Sequence, residues 1–140
     1  MNPTRTILVI DDDQAVREMV AELLTEEGYA VVTAAAGQPG LEQARAAQPD
    51  LILMDASLPD MNGEAVVRAL KADVRTRAIP VVALTGSIDP GALMAAGCLA
   101  FIPKPFDPGG FVGMIQAVLQ QTAGRRPRPR APEAGGSPDG

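Results

Sequence analysis

The sequence contains no histidine and a single cysteine, and these two scarcities exclude much of protein chemistry. Without histidine the chain has no histidine-based metal site, no Ser-His or Cys-His catalytic pair, and no phosphohistidine of its own. The single cysteine, Cys98, excludes an intramolecular disulfide framework, and we interpret it as a small core residue. No Gly-x-x-x-x-Gly-Lys-Ser/Thr loop is present, which excludes a P-loop nucleotidase.

Long apolar runs are also lacking: none approaches the ~20 residues that cross a bilayer. No signal peptide opens the chain either, so we expect a soluble, cytoplasmic protein without a membrane partner. The 140 residues carry a net charge of −5 and suffice for one domain. From Gly124 the composition changes to Gly, Pro, Arg and Ser, which predicts a folded domain over 1–123 and a disordered tail over 124–140.

The tail carries four arginines, which raises the alternative of a nucleic-acid contact. We favour the interpretation of an inert, solvated segment and expect no nucleic-acid partner.

Apolar runs and amphipathic segments alternate along the rest of the chain, which indicates a parallel sheet covered by helices on both faces. The predicted strands are 7–10, 29–33, 51–54, 80–84 and 99–102. The predicted helices are 14–27, 39–47, 63–72, 90–96 and 111–121. We expect Gly28 to cap the first helix and Pro39 to start the second. Three helices have predicted core faces, which consist of Val16, Met19, Val20, Leu23 and Leu24, of Ala65, Val66, Ala69 and Leu70, and of Phe111, Met114, Ile115, Val118 and Leu119.

Aspartates follow two of the apolar strands. Asp11, Asp12 and Asp13 come directly after the first strand, and Asp55 closes the third. The carboxyl ends of parallel strands form the edge at which open α/β folds bind ligands. Carboxylates that meet there repel one another, so they need a proton or a cation, and a small set of oxygen ligands suits Mg2+. We assign Asp13 to capping the helix that begins at Gln14 rather than to metal binding.

Two further polar side chains end strands of the same sheet. Thr85 follows the apolar residues 81–84, and Lys104 stands between two prolines after the fifth strand. Each residue taken alone has an ordinary explanation, as a helix cap or turn residue, a strand-end hydroxyl, or a solvated loop lysine. Their joint placement with Asp55 at one edge is what indicates a shared site.

These motifs resemble those of the receiver domains of two-component response regulators, over about Thr6 to Ala123. The resemblance rests on Ile-Leu-Val-Ile-Asp-Asp-Asp, Leu-Ile-Leu-Met-Asp-Ala-Ser-Leu-Pro-Asp-Met-Asn-Gly, Ala-Leu-Thr-Gly and Phe-Ile-Pro-Lys-Pro-Phe. It implies a flavodoxin-like, doubly wound α/β fold with a five-stranded parallel sheet in the strand order 2-1-3-4-5 and helices on both faces.

The resemblance also implies roles for individual residues. Asp55 would be the phosphoacceptor, and Lys104 would bind the phosphoryl group. Thr85 would be the switch hydroxyl and Phe101 the switch aromatic, and the Lys104–Pro105 bond would be cis. The implied Mg2+ ligands are Asp11, Asp12, Asp55 and the backbone carbonyl of Ser57.

By the same resemblance, the chain would be a stand-alone response regulator rather than an enzyme, although it would assist its own phosphotransfer and dephosphorylation. It would take a phosphoryl group from a phosphohistidine on a sensor histidine kinase or a histidine phosphotransfer protein. It would then signal by contact with a downstream protein. The stretch between Thr85 and Phe101 is about three residues shorter than is usual in the family, close to one helical turn. This is a surface that many receivers use for dimerisation, and we expect a monomer or weak dimer.

Three alternatives remain open at this point. One is a phosphorelay intermediate. Another is a flavodoxin-like cofactor binder, although three aspartates after the first strand would repel an FMN phosphate. The third is an aspartyl phosphatase of the dehalogenase type, which would need a second aspartate at the position of Ser57.

Overall fold

In the computed structural model, which describes residues 4–86 and 91–122, strands and helices alternate along the chain. The strands are β1 (Thr6–Ile10), β2 (Ala30–Ala34), β3 (Leu51–Asp55), β4 (Val81–Thr85) and β5 (Ala100–Pro103). The helices are α1 (Gln14–Glu26), α2 (Gly37–Ala47), α3 (Gly63–Ala72), α4 (Gly91–Ala96) and α5 (Pro108–Thr122). The strands form one parallel sheet in the order β2-β1-β3-β4-β5, which confirms the predicted fold class.

The core lies on both sides of this sheet, because residues 7–10 of β1 and 51–54 of β3 are all apolar and buried on both faces. One cluster packs α2, α3 and α4 against the sheet through residues such as Leu41, Val66 and Leu93. The opposite cluster packs α1 and α5 through residues such as Leu24 and Phe111. Successive residues of β1 alternate between the two clusters, as the twofold period of a strand requires.

Gly28 ends α1 as predicted. Its φ of +96° lies in the left-handed region that glycine tolerates, and its N–H donates to the carbonyl of Thr25. The next N–H, of Tyr29, donates to the carbonyl of Leu24, which completes a Schellman motif. Tyr29 therefore belongs to the turn, and β2 begins at Ala30 rather than at Tyr29.

Two helices begin earlier than predicted. Pro39 does not start α2 but occupies its third position, where a missing N–H leaves no intrahelical bond unmade. The last helix begins at Pro108 rather than at Phe111, because Asp107 accepts a hydrogen bond from the Gly110 N–H and caps the helix start. That cap outweighs the low helix propensity of the two glycines that follow Pro108.

The helix faces differ from the prediction at their margins. Met19 and Met114 were expected to be buried, but 39% and 36% of their surfaces are exposed. Val67 of α3 is fully buried although the prediction left it out. The two methionines lie where the buried stripe of a helix meets solvent, and their flexible side chains tolerate that boundary. Cys98 is buried in the core, as expected.

Two predictions concern residues outside the described ranges. They are the proposed start of the fourth helix at Pro90 and the disordered tail over 124–140. Within residues 4–86 and 91–122, no helix has the length and apolar character needed to span a membrane.

Candidate functional site

The pairing of β1 with β3 places the aspartates of both strands at one edge of the sheet. Ile10 pairs with Met54, so Asp11 and Asp55, the residues that follow them, lie at neighbouring strand ends. Asp12 joins them, and one carboxylate oxygen from each of the three aspartates lies within 4.8 Å of the other two. The sequence prediction that these carboxylates converge is confirmed.

Asp11 is fully buried and held on several sides. Its Oδ1 accepts a hydrogen bond from the Asp13 N–H at 2.9 Å, and its backbone carbonyl accepts one from Arg17 Nη1 at 2.8 Å. Its Oδ2 lies 3.4 Å from the ammonium of Lys104. Asp12, in contrast, is exposed, so the acidic cluster combines a fixed buried ligand with one that faces solvent.

Asp55 lies at the end of β3 with 7% of its surface exposed. Burial is the largest influence on this carboxyl group and raises its pKa, and the negative charge of Asp11 acts in the same direction. The Ser57 N–H, which donates to Asp55 Oδ1 at 3.2 Å, and the nearby Lys104 lower the pKa and partly oppose that effect. The ionised form of Asp55 is therefore costly here, and a cation would favour it.

Lys104 supplies one positive charge within the site. Its backbone N–H donates to the carbonyl of Thr85 at 2.8 Å, which fixes the start of the β5–α5 loop beside the end of β4. Its Nζ lies 3.4 Å from Asp11 Oδ2 and 3.5 Å from Asp55 Oδ1. The ammonium thus bridges two aspartates from different strands, and the bond to Pro105 is cis, as the resemblance implied.

Thr85 and Phe101 differ sharply in exposure. Thr85 ends β4 and is 1% exposed, whereas Phe101 of β5 is 36% exposed. A cavity of about 450 Å³ opens beside Thr85, between Ser57 and Leu93. A buried hydroxyl therefore lies next to open space, one strand away from Asp55.

Ser57 belongs to a compact loop that joins β3 to α3. An antiparallel bridge pairs Ser57 with Asn62, and the Gly63 N–H donates to the carbonyl of Ala56 at 3.0 Å. Asn62 caps α3 by accepting a hydrogen bond from the Ala65 N–H. Both ends of the loop are thereby closed next to Asp55.

Asp13 caps α1, as predicted, because its carboxylate accepts hydrogen bonds from the N–H groups of Ala15 and Val16. Arg17 of α1 was missed: its Nη1 donates to the Asp11 carbonyl at this edge of the sheet. Asp60, at the tip of the β3–α3 loop, was also missed; it accepts hydrogen bonds from the N–H groups of Gly37 and Gln38. The sequence offered one signal for this contact: Ala36, directly before α2, has no polar side chain that could cap the helix.

The donor set suits Mg2+ on chemical grounds. Three carboxylates meet within reach of one ion, they are hard oxygen ligands, and the exposed Asp12 leaves room for the waters that Mg2+ retains. The residues present therefore fit this ion.

A doubly wound parallel sheet with an acidic cluster and a bridging lysine at its carboxyl edge defines a receiver domain. The chain belongs to this family: the sequence pattern of the response regulator receiver domain matches residues 7–116. Domains of this family act in signalling, interact with histidine kinases and typically bind Mg2+.

Relatives and solved structures agree with that membership. The polar-differentiation response regulator DivK of Brucella ovis is 33% identical over 119 residues, which are 83% of this chain and 97% of DivK. The chemotaxis response regulator CheY4 of Vibrio cholerae is 31% identical with a TM-score of 0.79, over 83% of this chain and 99% of CheY4.

A third similar structure is relevant to the metal. The receiver domain of the sensor histidine kinase PA1611 from Pseudomonas aeruginosa PAO1 is 28% identical with a TM-score of 0.75, over 87% of this chain and 99% of that domain. That structure has a magnesium ion coordinated in its active-site cleft.

Proposed function

We propose that Asp55 accepts a phosphoryl group from a phosphohistidine, on a sensor histidine kinase or a histidine phosphotransfer protein, in a reaction that needs Mg2+. The single observation that carries this proposal is the position of Lys104, whose ammonium lies between Asp11 and Asp55 at 3.4 and 3.5 Å. A cation so placed beside a nucleophilic carboxylate is suited to a reacting group that already carries negative charge.

In the proposed reaction, a carboxylate oxygen of Asp55 forms a bond to phosphorus while the bond from phosphorus to the donor imidazole nitrogen breaks. The electron pair of that bond leaves with the imidazole, which takes up a proton. Asp55 must be ionised to attack, and Lys104 favours the ionised form. Asp11, Asp12, Asp55 and the backbone carbonyl of Ser57 would hold Mg2+, which when bound offsets charge on the phosphoryl oxygens.

The phosphoryl group then carries the signal to a surface. A phosphoryl group on Asp55 adds strong acceptor oxygens. In our proposal the hydroxyl of Thr85 moves toward one of these oxygens, and Phe101 turns inward from its exposed position. Such a change replaces one surface by another at β5, and a downstream protein would read it by direct contact.

The chain would thus be a phosphoacceptor that assists its own phosphotransfer and dephosphorylation rather than an enzyme with a separate substrate. A phosphorelay intermediate would use the same chemistry and differ in passing the phosphoryl group on to a second histidine.

Incubation with acetyl phosphate and Mg2+, followed by intact-mass measurement, tests the proposal. Wild-type protein should gain the mass of one phosphoryl group, and a chelator should prevent the gain. Asp55→Asn has nearly the same shape but no nucleophilic carboxylate, so it should gain nothing. A phosphoryl adduct on Asp55→Asn would refute the assignment.

A further inference from the structure

The N-terminus of α2 is capped from outside its own segment. Asp13, Asn62 and Asp107 cap α1, α3 and α5 from the position directly before each helix. The corresponding residue of α2 is Ala36, which has no capping side chain. The first N–H groups of that helix need another acceptor.

Asp60 is that acceptor, although it lies 23 residues further along the chain. Its Oδ1 accepts a hydrogen bond from the Gly37 N–H at 2.7 Å, and its Oδ2 accepts one from the Gln38 N–H at 2.9 Å. Both carboxylate oxygens are therefore engaged by one helix end, where the helix dipole favours negative charge. These hydrogen bonds, that of Gln38 first, hold the pKa of Asp60 below its ordinary value.

Close packing accompanies the hydrogen bonds. A Cβ atom added at Gly37 would lie 2.9 Å from Met61 Sδ, so the loop residue after Asp60 rests directly on the helix backbone. A Cβ atom added at Gly40 would lie 2.6 Å from Ile10 Cδ1, so the same helix also rests on the last residue of β1. The first turn of α2 therefore contacts both the β3–α3 loop and the strand end that precedes Asp11.

We propose that Asp60 is a positioning residue for the Mg2+ and phosphoryl site. It holds the tip of the β3–α3 loop against α2 and thereby keeps Ser57 in place beside Asp55. The base of that loop is closed by the Ser57–Asn62 bridge, and the Ser57 N–H donates to Asp55. The anchor at Asp60 restrains the opposite end of the loop. This inference rests on the proposed function, because Ser57 matters through its carbonyl ligand and its contact with the acceptor.

The test compares Asp60→Ala with a matched control, Asp73→Ala. Asp73 accepts hydrogen bonds from Arg45 and Arg75, so it also tethers α2 to another element, but at the end of α3 that is remote from Asp55. Titration with MgCl2, followed by amide chemical shifts, gives the Mg2+ affinity of each variant. Amide hydrogen exchange in metal-free protein measures directly how well the N–H groups of Ser57, Gly37 and Gln38 are protected.

The expected result is a loss of about three- to tenfold in Mg2+ affinity for Asp60→Ala, near the lower end of the effect of groups that orient metal ligands. Its Ser57 amide should also exchange faster. Asp60→Asn keeps one acceptor oxygen and should lose less affinity. Asp73→Ala should retain wild-type Mg2+ affinity even if its unfolding midpoint falls as far as that of Asp60→Ala.

Two results would overturn the inference. One is wild-type Mg2+ affinity in Asp60→Ala; the other is faster exchange at Gly37 and Gln38 with unchanged exchange at Ser57. In either case a wild-type protein that binds Mg2+ and is phosphorylated would leave the proposed function standing. A wild-type protein that does neither would refute the proposed function itself, and the inference with it.

Discussion

The ammonium of Lys104 lies 3.5 Å from a carboxylate oxygen of Asp55, although Asp55 ends β3 and Lys104 directly follows β5. The same ammonium lies 3.4 Å from Asp11, so its charge is shared between two aspartates. A phosphoryl group on Asp55 would compete with Asp11 for this lysine. The position of Lys104 is thus expected to depend on the phosphorylation state of the protein.

Lys104→Ala should still allow some phosphorylation but should uncouple it from Phe101. Without the lysine, the interaction free energies of the phosphoryl group with the inactive and the active conformation differ less. A ligand shifts a conformational equilibrium only by that difference. The measurement is the chemical shift change at Ala100 and Phe101 on addition of beryllofluoride with Mg2+. We expect most of this change to be lost.

Arg68→Ala is the matched control for that experiment. It removes an exposed ion pair with Glu64 and a single positive charge, on the outer side of α3. Its response at Phe101 should equal that of the wild-type protein. A full response in Lys104→Ala as well would show that the lysine takes no part in the switch.

Substitutions of Asp12 and of its neighbour Asp13 should differ in their effect on Mg2+ affinity. Asp12→Asn removes a charged ligand from the cluster and should weaken binding by about tenfold or more, equivalent to roughly 1.4 kcal/mol. Asp13→Asn removes the same charge one residue away but preserves an N-cap, since asparagine caps helices as well as aspartate does. An Mg2+ titration followed by amide shifts compares them, and equal losses would argue for a diffuse charge effect instead of coordination.

The pH dependence of stability should reveal the buried Asp55. Burial raises its pKa in the folded state, so ionisation penalises folding. That penalty is absent below the ordinary pKa of about 3.9, develops as the pH rises toward the folded-state pKa, and is complete above it. In metal-free protein, Asp55→Asn should therefore be more stable than wild type at neutral pH, and the difference should vanish in acid.

Asp60→Asn serves as the control, because its effect on stability should have the opposite sign to that of Asp55→Asn. Its hydrogen bonds lower the pKa of Asp60, so the ionised group stabilises the folded state above the ordinary pKa. This variant should be less stable than wild type at neutral pH, with the difference closing as the pH falls below the lowered pKa. Urea unfolding at a series of pH values measures the stability of both variants. Stability changes of the same sign in the two variants would contradict the pKa directions given for Asp55 and Asp60.

Gly40→Ala should destabilise the protein by about 1–3 kcal/mol, the usual cost of overpacking. The added methyl would lie 2.6 Å from Ile10 Cδ1, where α2 packs against β1. Gly113→Ala is the matched control, because nothing lies within 4 Å of its added Cβ on α5. It should stabilise by up to about 1 kcal/mol through helix propensity, as urea unfolding would show. A neutral Gly40→Ala would indicate that α2 can shift away from β1.

The sequence was sufficient to predict the alternation of strands and helices and the acidic cluster for a physical reason, whereas the strand order was implied only by the family resemblance. Strands buried on both faces appear as continuous apolar runs, so the polar residue that ends such a run, as in Asp11 and Asp55, marks one edge of the sheet. The helix start at Pro108 was missed because propensity argues against Gly109 and Gly110, whereas the Asp107 cap decides it.

The contacts of Asp60 and Arg17 could not be predicted from periodicity. Asp60 reaches α2 across 23 residues, and Arg17 reaches the carbonyl of Asp11 from the first turns of α1. Both are polar contacts whose partners are backbone groups, and no hydrophobic pattern records which exposed side chain faces them. Such contacts depend on the packing of complete elements.

The most direct test of the central claim identifies the phosphorylated residue. Protein treated with acetyl phosphate and Mg2+ is reduced with borohydride, which converts an aspartyl phosphate to homoserine, and its peptides are sequenced by mass spectrometry. The expected result is homoserine at position 55 alone, with Asp11 and Asp12 unchanged although their carboxylates lie within 4.8 Å. Homoserine at position 11 or 12, or unmodified Asp55 in protein that has gained a phosphoryl group, would contradict the assignment.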